Sequence, residues 1–148
     1  MTPTLDGSSL VLSQIFDTSA TRLFDAWTSR EEWQAWIGPK GVTCDVPMLN
    51  ATVGGEYCVI MHTPNGEVRV AGVFREVSPP NRIVFTWGAE GDPTRQSLVT
   101  IDLESLGERT RLTLRQDGLG SADVRDEHAK GWTGAFAKLA AHVARGAA

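Results

Sequence analysis

The feature that most constrains the fold is a pair of alternating apolar runs, within residues 53–80, that flank Pro64-Asn65-Gly66. Asn-Gly is the dipeptide most typical of a tight turn between two neighbouring strands. Two strands joined by so short a turn pair antiparallel, because a parallel pair needs a long crossover connection. This segment therefore predicts a β-hairpin and excludes an all-helical fold or a purely parallel sheet.

Four further segments have the alternation of strands, at residues 9–17, 42–49, 81–88 and 96–118. The last of them contains a turn at Ser-Leu-Gly-Glu and therefore predicts a second hairpin. Pro47 interrupts the segment 42–49, and a proline cannot donate to the hydrogen bonds of a central strand. We therefore expect that segment to be an edge strand or a bulged strand.

Helical patterns occupy residues 20–29, 30–36 and 121–144. The long pattern predicts one buried face, because its apolar positions recur at steps of three and four residues. These positions are Val124, His128, Trp132, Ala135, Phe136, Leu139 and Val143. Gly131 and Gly134 each cost about 1 kcal/mol against alanine in a helix interior. They are expected where the helix backbone approaches another segment closely, or where space is left for something else.

The order of elements is one strand, two short helices, about six strands and one long helix, which predicts an antiparallel α+β fold. The long helix is expected to cover one face of a curved antiparallel sheet, since each presents an apolar surface that needs covering. A length of 148 residues suits one domain, predicted as 1–148 with a core at about 9–144. A pocket between helix and sheet is the natural consequence of this arrangement.

Charge and composition exclude several classes of protein. The net charge is -4 and the lysines and arginines are scattered, so a nucleic-acid partner is not expected. No apolar stretch is long enough to span a membrane, and the N-terminus lacks the features of a signal peptide. We therefore expect a cytoplasmic protein, in which Cys44 and Cys58 remain reduced as small core residues.

The histidines do not predict a metal site or a cofactor. A zinc site needs three or four converging ligands, and the chain has three histidines. His128 and His142 are fourteen residues apart on the predicted helix, which separates them by about 21 Å. His62 is expected near the hairpin in solvent. For His128 two interpretations remain open: a partly buried, hydrogen-bonded residue, or a polar group directed into a cavity.

Five segments resemble a known family: FDAWTSREEWQAWIGPKG, VGGEY, GVFREVSPPNRIVFTW, GERTRLTL and HAKGWTGAFAKLAAHV. Their order is similar to that in bacterial relatives of the activator of heat-shock protein 90 ATPase, of the C-terminal-domain type. The resemblance covers residues 9–144 and implies the helix-grip fold of the START-like, or SRPBCC, superfamily. It also implies a ligand cavity whose mouth lies beside the two short helices with Trp27, Trp33 and Trp36. Ile37 replaces the second tryptophan of the family's Trp-Trp-Gly-Pro, which either widens the site or repacks it.

The predicted cavity wall combines tryptophans of the two short helices, inward-facing strand positions and the apolar face of the long helix. Its members are Trp27, Trp36, Tyr57, Met61, Phe74, Phe85, Trp87, Val99, Leu112, His128, Trp132 and Phe136. For Tyr57 and Trp87 a place in the cavity wall and a place in the plain core are equally favoured, since each has a large ring and one polar atom.

Three functions follow from these features. The first is the binding of a small apolar or amphipathic molecule in the cavity. The second, implied by the resemblance, is docking on a chaperone of the heat-shock protein 90 class. We expect no additional N-terminal domain, since the first predicted strand lies at the start of this sequence, and this expectation counts against chaperone activation. The third is a cyclase or hydrolase activity with His128 and Tyr57 as acid/base candidates, although no nucleophile motif is present. Dimerisation through a sheet edge is also plausible.

Overall fold

The computed structural model describes residues 9–92 and 96–146, with backbone alone for residues 145 and 146. The remainder of the predicted domain 1–148 lies outside the described residues. The strands are β1 (Leu10–Phe16), β2 (Thr43–Leu49), β3 (Glu56–Thr63), β4 (Gly66–Ser78), β5 (Arg82–Ala89), β6 (Ser97–Ser105) and β7 (Thr110–Asp117). The helices are α1 (Ala20–Thr28), α2 (Arg30–Trp36) and α3 (Ala122–Gly146). This order confirms the predicted α+β arrangement.

The seven strands form one curved sheet in the order β1-β7-β6-β5-β4-β3-β2. Every pair of neighbouring strands is antiparallel, as the hairpin-length connections predict. Strands β1 and β2 form the two edges of the sheet. Dimerisation through one of these edges remains a prediction.

The turn between β3 and β4 lies at the predicted place but one residue earlier than an Asn-Gly turn. Gly66 already pairs with Thr63, so the two central residues are Pro64 and Asn65. Proline has the fixed φ that suits the first central position of a turn. Gly66 takes the positive φ of 118° that a side chain would oppose.

Strand β2 is an edge strand with an irregular register, as Pro47 predicts. Its pairing with β3 shifts between Asp45 and Met48, which places the proline within the irregular part. A proline at this position breaks no ladder hydrogen bond of a central strand.

Helices α1 and α2 are joined by a single residue, Ser29, which ends the first helix and begins the second. The Ser29 hydroxyl accepts a hydrogen bond from the backbone N–H of Glu32 at 3.3 Å. Ser19 performs the same N-capping role for α1 through the N–H of Arg22, at 3.1 Å. The capped junction keeps both helices short and allows a sharp change of direction between them.

Only part of α3 is buried, which corrects the predicted apolar stripe. The helix begins after Ser121, whose hydroxyl accepts from the N–H of Val124. The side chain of Val124 is nevertheless 40% exposed, and the buried face starts only at Trp132. From there α3 packs against β1, α1 and α2 with Trp132, Ala135, Phe136, Leu139 and Val143. The first turns of α3 therefore stand away from the neighbouring strands.

A polar cluster joins the three helices. The Glu32 carboxylate pairs with Arg22 of α1 at 2.7 Å and accepts from His142 Nε2 of α3 at 2.7 Å. Burial raises the pKa of Glu32, but the hydrogen bonds from His142 and Arg22 outweigh it and hold the pKa below the ordinary 4.5. The cluster therefore depends on a charged carboxylate.

Candidate functional site

A groove separates the first half of α3 from strands β4 and β5. Its narrow part, the inner cleft, has a volume of about 190 Å³. The inner cleft is lined by Gly38, Pro39, Met61, Val68, Val70, Trp87, Glu127, His128, Gly131, Trp132 and Ala135. Most of this surface is apolar, because the strand positions and the helix face both point inward here.

A wider part, the outer cleft, opens toward the loop that precedes α3 and has a volume of about 700 Å³. It shares Val68, Val70, Trp87 and His128 with the inner cleft, so the two form one continuous groove. The outer cleft adds Arg69, Gly88, Ala89, Ser97, Gly118, Leu119, Gly120, Ser121 and Val124.

Two valines show that the groove leaves apolar surface uncovered. Val68 of β4 is 47% exposed and Val124 of α3 is 40% exposed, although both line the groove. Neighbouring Val70, deeper in the groove, is buried. The sheet and the helix therefore diverge toward the start of α3, and the apolar surface between them is left to solvent or to a ligand.

The glycines of α3 explain where the groove closes. A Cβ atom on Gly134 would lie 2.5 Å from the backbone nitrogen of Lys40, so the loop after α2 touches the helix at this point. A Cβ atom on Gly131 would meet only the Pro39 ring, at 3.6 Å. Gly134 thus allows the close approach, and Gly131 leaves space in the inner cleft. The sequence predicted either a close approach of another segment or an open space at these glycines. The close approach is found at Gly134 and the open space at Gly131.

Lys138 holds the same loop onto α3. Its ammonium donates hydrogen bonds to the carbonyl oxygens of Ile37 at 3.0 Å and Val42 at 3.1 Å. Partial burial lowers the pKa of Lys138 from its ordinary value. Ile37 is 1% exposed and does not line the groove, so its replacement of an aromatic residue repacks the core and does not widen the site.

A chain of buried hydrogen bonds fixes the two tryptophans of the groove. Trp132 Nε1 donates to Gln116 Oε1, Gln116 Nε2 donates to Ser97 Oγ, and Ser97 Oγ donates to the carbonyl of Trp87, each at 2.8 Å. Gln116 is 0% exposed, so its amide has no water to replace these partners. The chain holds the Trp132 indole ring and the backbone of Trp87, and the centroids of the two rings are 5.0 Å apart.

Sequence reasoning missed Gln116 and Ser97. The available signal was the alternation of β7, in which Leu112, Leu114 and Gln116 face the same side. A polar residue at an inward-facing position requires a buried partner. That rule predicts a hydrogen bond for Gln116, but it does not identify Trp132 as the donor.

The three histidines lie apart from one another in different environments. His128 lines the groove, is half-buried, and forms a hydrogen bond of 2.9 Å between Nδ1 and the Val124 carbonyl. Because a carbonyl only accepts, Nδ1 carries the proton, and Nε2 is an acceptor in the neutral ring. His62 pairs with Asp45 at 2.8 Å and is 42% exposed, in the solvated position expected for it. Within the described residues, no group of three or more histidine, cysteine or acidic side chains is arranged to hold a metal ion.

Four of the twelve residues predicted for the cavity wall line the groove: Met61, Trp87, His128 and Trp132. The other eight lie in the core and do not line it: Trp27, Trp36, Tyr57, Phe74, Phe85, Val99, Leu112 and Phe136. The physical reason is that the aromatic rings pack on one another and fill the space beneath α3. The Trp27 and Trp36 rings, for example, are 4.5 Å apart, and those of Trp33 and Tyr57 are 5.2 Å apart.

Tyr57 and Trp87, for which a place in the core and a place in the cavity wall were both open, differ in the structure. Tyr57 is 0% exposed, and its hydroxyl donates to the Thr86 carbonyl. Burial raises the pKa of Tyr57 well above its ordinary value, which makes the phenol unsuited to acid/base chemistry at neutral pH. Trp87, in contrast, lines both parts of the groove.

Cys44 and Cys58 are free thiols in the core. Burial raises the pKa of each to about 11, so both remain protonated at neutral pH. Among the described residues, no helix is both long enough and apolar enough to cross a membrane.

The model of one protein family matches residues 17–144, and its description is Activator of Hsp90 ATPase homolog 1-like protein. The AHSA1 protein of Silicibacter pomeroyi is 30% identical, with a TM-score of 0.80 over 93% of this chain and 98% of that one. A protein of Rhizobium loti is 28% identical, with a TM-score of 0.69 over 90% of this chain and 95% of that one.

A protein of Chromobacterium violaceum has the same fold. It is 23% identical, with a TM-score of 0.84 over 93% of this chain and 98% of that one. No curated protein matches the sequence.

Proposed function

The chain belongs to the family of Activator of Hsp90 ATPase homolog 1-like proteins, and on that premise we propose that it binds a small apolar or amphipathic molecule in the groove beside α3. The observation that carries this proposal is the uncovered apolar surface on both sides of the groove. Val68 and Val124 face the groove and yet remain 47% and 40% exposed. A ligand that covers such surface gains about 25 cal/mol per Å² of apolar area.

The rigid walls of the groove support the same proposal. The hydrogen bonds through Gln116 and Ser97 hold the Trp132 ring and the backbone of Trp87, and the Trp87 ring packs against Trp132 with centroids 5.0 Å apart, so this part of the wall is formed before any ligand arrives. Binding to a preformed apolar wall avoids the cost of ordering side chains, which is about 0.5–1.5 kcal/mol for each one immobilised. A few polar groups at the rim, including His128, are typical of sites for small molecules.

The test is to fill the groove and measure the loss of binding. Val68→Phe adds an aromatic ring to a half-exposed position in the groove, so the variant is expected to fold normally. With N-phenylnaphthylamine, a neutral apolar fluorophore, we expect its affinity to fall by at least about tenfold, which corresponds to about 1.4 kcal/mol. Enhanced probe emission and quenching of protein tryptophan fluorescence report the binding.

The matched control is Val11→Phe, at a valine of β1 that is 41% exposed and does not line the groove. This variant adds the same ring to the surface and is expected to bind the probe like the unsubstituted protein. Equal affinities for the two variants, or no binding by the unsubstituted protein, would reject the groove as the binding site.

Docking on a chaperone of the heat-shock protein 90 class is the second candidate, and the family description is what favours it. The test is retention of the purified chaperone on the immobilised full chain, with and without nucleotide. Failure to retain the chaperone under either condition would reject this candidate and leave ligand binding unaffected.

A further inference from the structure

Among the described residues that line the groove, one charge is uncompensated, the carboxylate of Glu127. Glu127 lines the inner cleft from α3 and is exposed, and its carboxylate has no ion pair or hydrogen bond with any other described residue. Asp126, its neighbour on the helix, pairs with Arg125 at 3.1 Å and does not line the groove. The carboxylate of Glu127 can therefore pair with a ligand in the groove, whereas the carboxylate of Asp126 cannot.

The positive charge of the groove is already compensated. Arg69 is the only lysine or arginine among the described residues that line it. Its guanidinium lies 3.5 Å from Glu67 and 3.8 Å from Glu90. An anionic ligand would have to compete with two carboxylates for one cation, and it would also meet the repulsion of Glu127.

The helical wall of the inner cleft offers hydrogen-bond acceptors. The Nδ1 proton of His128 is used by the Val124 carbonyl, which leaves Nε2 as an acceptor in the neutral ring. The indole N–H of Trp132 is used by Gln116. A carboxylate accepts only, so the wall is complementary to a ligand that donates.

We propose that the groove selects a cationic amphiphile, with its ammonium group beside Glu127 and His128 and its apolar part along Trp87, Trp132 and Val68. The ammonium supplies both the opposite charge and the N–H donors that this wall lacks. This inference rests on the proposed function and specifies the chemical class of its ligand.

The experiment compares three ligands with the same alkyl chain, namely octylammonium, octanol and octyl sulfate, by titration calorimetry at pH 7.5. The two ionic ligands are kept below their micelle concentrations and octanol below its solubility limit. We expect octylammonium to bind roughly fivefold more tightly than octanol, the factor that one exposed charge contact in water allows, and octyl sulfate to bind more weakly than octanol because Glu127 repels it. Glu127→Gln should remove most of these differences. Asp126→Asn changes the net charge equally and should preserve them.

The other outcomes distinguish the charge selection from binding in the groove. Octyl sulfate that binds as tightly as octylammonium, or a preference that survives Glu127→Gln, would overturn the charge selection. Equal binding of all three ligands would reject the selection and retain the groove as an apolar binding site. If none of the three binds, the proposed function fails together with the inference. Glu127 is exposed and unpaired within the described residues, so its replacement does not endanger folding.

Discussion

At the scale of single residues, Gln116 determines the shape of the groove without lining it. Its amide oxygen accepts from Trp132, and its amide nitrogen donates to Ser97, which in turn donates to the Trp87 carbonyl. All these groups are buried, so any one of them left unpaired costs about 1–3 kcal/mol. One side chain therefore links the Trp132 ring of α3 to the backbone of Trp87 in β5.

Gln116→Leu is expected to lower the free energy of unfolding by about 1–3 kcal/mol for each buried partner that it leaves unpaired. Urea denaturation at pH 7 measures this loss, and the emission of Trp132 should shift as its indole N–H loses its acceptor. The control is Gln14→Leu at a half-buried glutamine of β1 whose side chain has no hydrogen bond to another described residue, where we expect a change within about 0.5 kcal/mol. Equal losses for the two variants would contradict a specific role of the hydrogen-bond chain.

At the scale of elements, the two halves of α3 have different surroundings. Its second half is buried against β1, α1 and α2, whereas its first turns stand over the groove and bury no residue. Gly131 and Gly134 lie where one half passes into the other. The two glycines have identical helix propensity, so their different surroundings alone decide the effect of replacing them.

Gly134→Ala is expected to destabilise the protein, because its Cβ atom would lie 2.5 Å from the backbone of Lys40 and push the loop away from α3. We expect a loss of about 1–3 kcal/mol, as for overpacking elsewhere in well-packed structures. Gly131→Ala makes only an ordinary contact with Pro39 and should gain up to about 1 kcal/mol of helix stability. Urea denaturation measures both, and effects of the same sign would show that the loop does not pack as described.

At the scale of the whole molecule, the cluster of Arg22, Glu32 and His142 connects the three helices, and α3 reaches the sheet mainly through β1. The cluster lies outside the groove. It helps to set where α3 lies, and thereby the width of the space between helix and sheet.

The contribution of Glu32 to stability is expected to depend on pH. Because its pKa in the folded protein is lower than the ordinary 4.5, the unfolded chain binds the proton more readily, and the stabilisation is fully present only above pH 4.5. It is lost as the pH falls through the folded-state pKa. The difference in unfolding free energy between the unsubstituted protein and Glu32→Gln should therefore shrink from pH 7 toward pH 3.

Urea denaturation across this pH range measures the effect. Glu108→Gln, at an exposed residue of the turn between β6 and β7, is the control and should change the unfolding free energy at pH 7 by no more than about 0.5 kcal/mol. A difference for Glu32→Gln that stays constant down to pH 3 would contradict the assigned pairing.

The sequence by itself determined the elements, their order and the fold class. Periodicity and the turn at Pro64-Asn65-Gly66 depend on residues close together in the chain, so they can be predicted without a structure. The resemblance to the family rests on the same local segments, and the family match over residues 17–144 confirms it.

Only the tertiary structure decided which inward-facing side chains meet one another and which meet empty space. Trp87 and Phe85 occupy equivalent positions on β5, yet one lines the groove and the other is packed among aromatic rings. Similarly, Val124 continues the apolar stripe of α3 but remains exposed, because the strands beneath it diverge from the helix. Whether a space is filled depends on side chains that come together from distant parts of the chain. The local sequence pattern does not show which of these side chains meet.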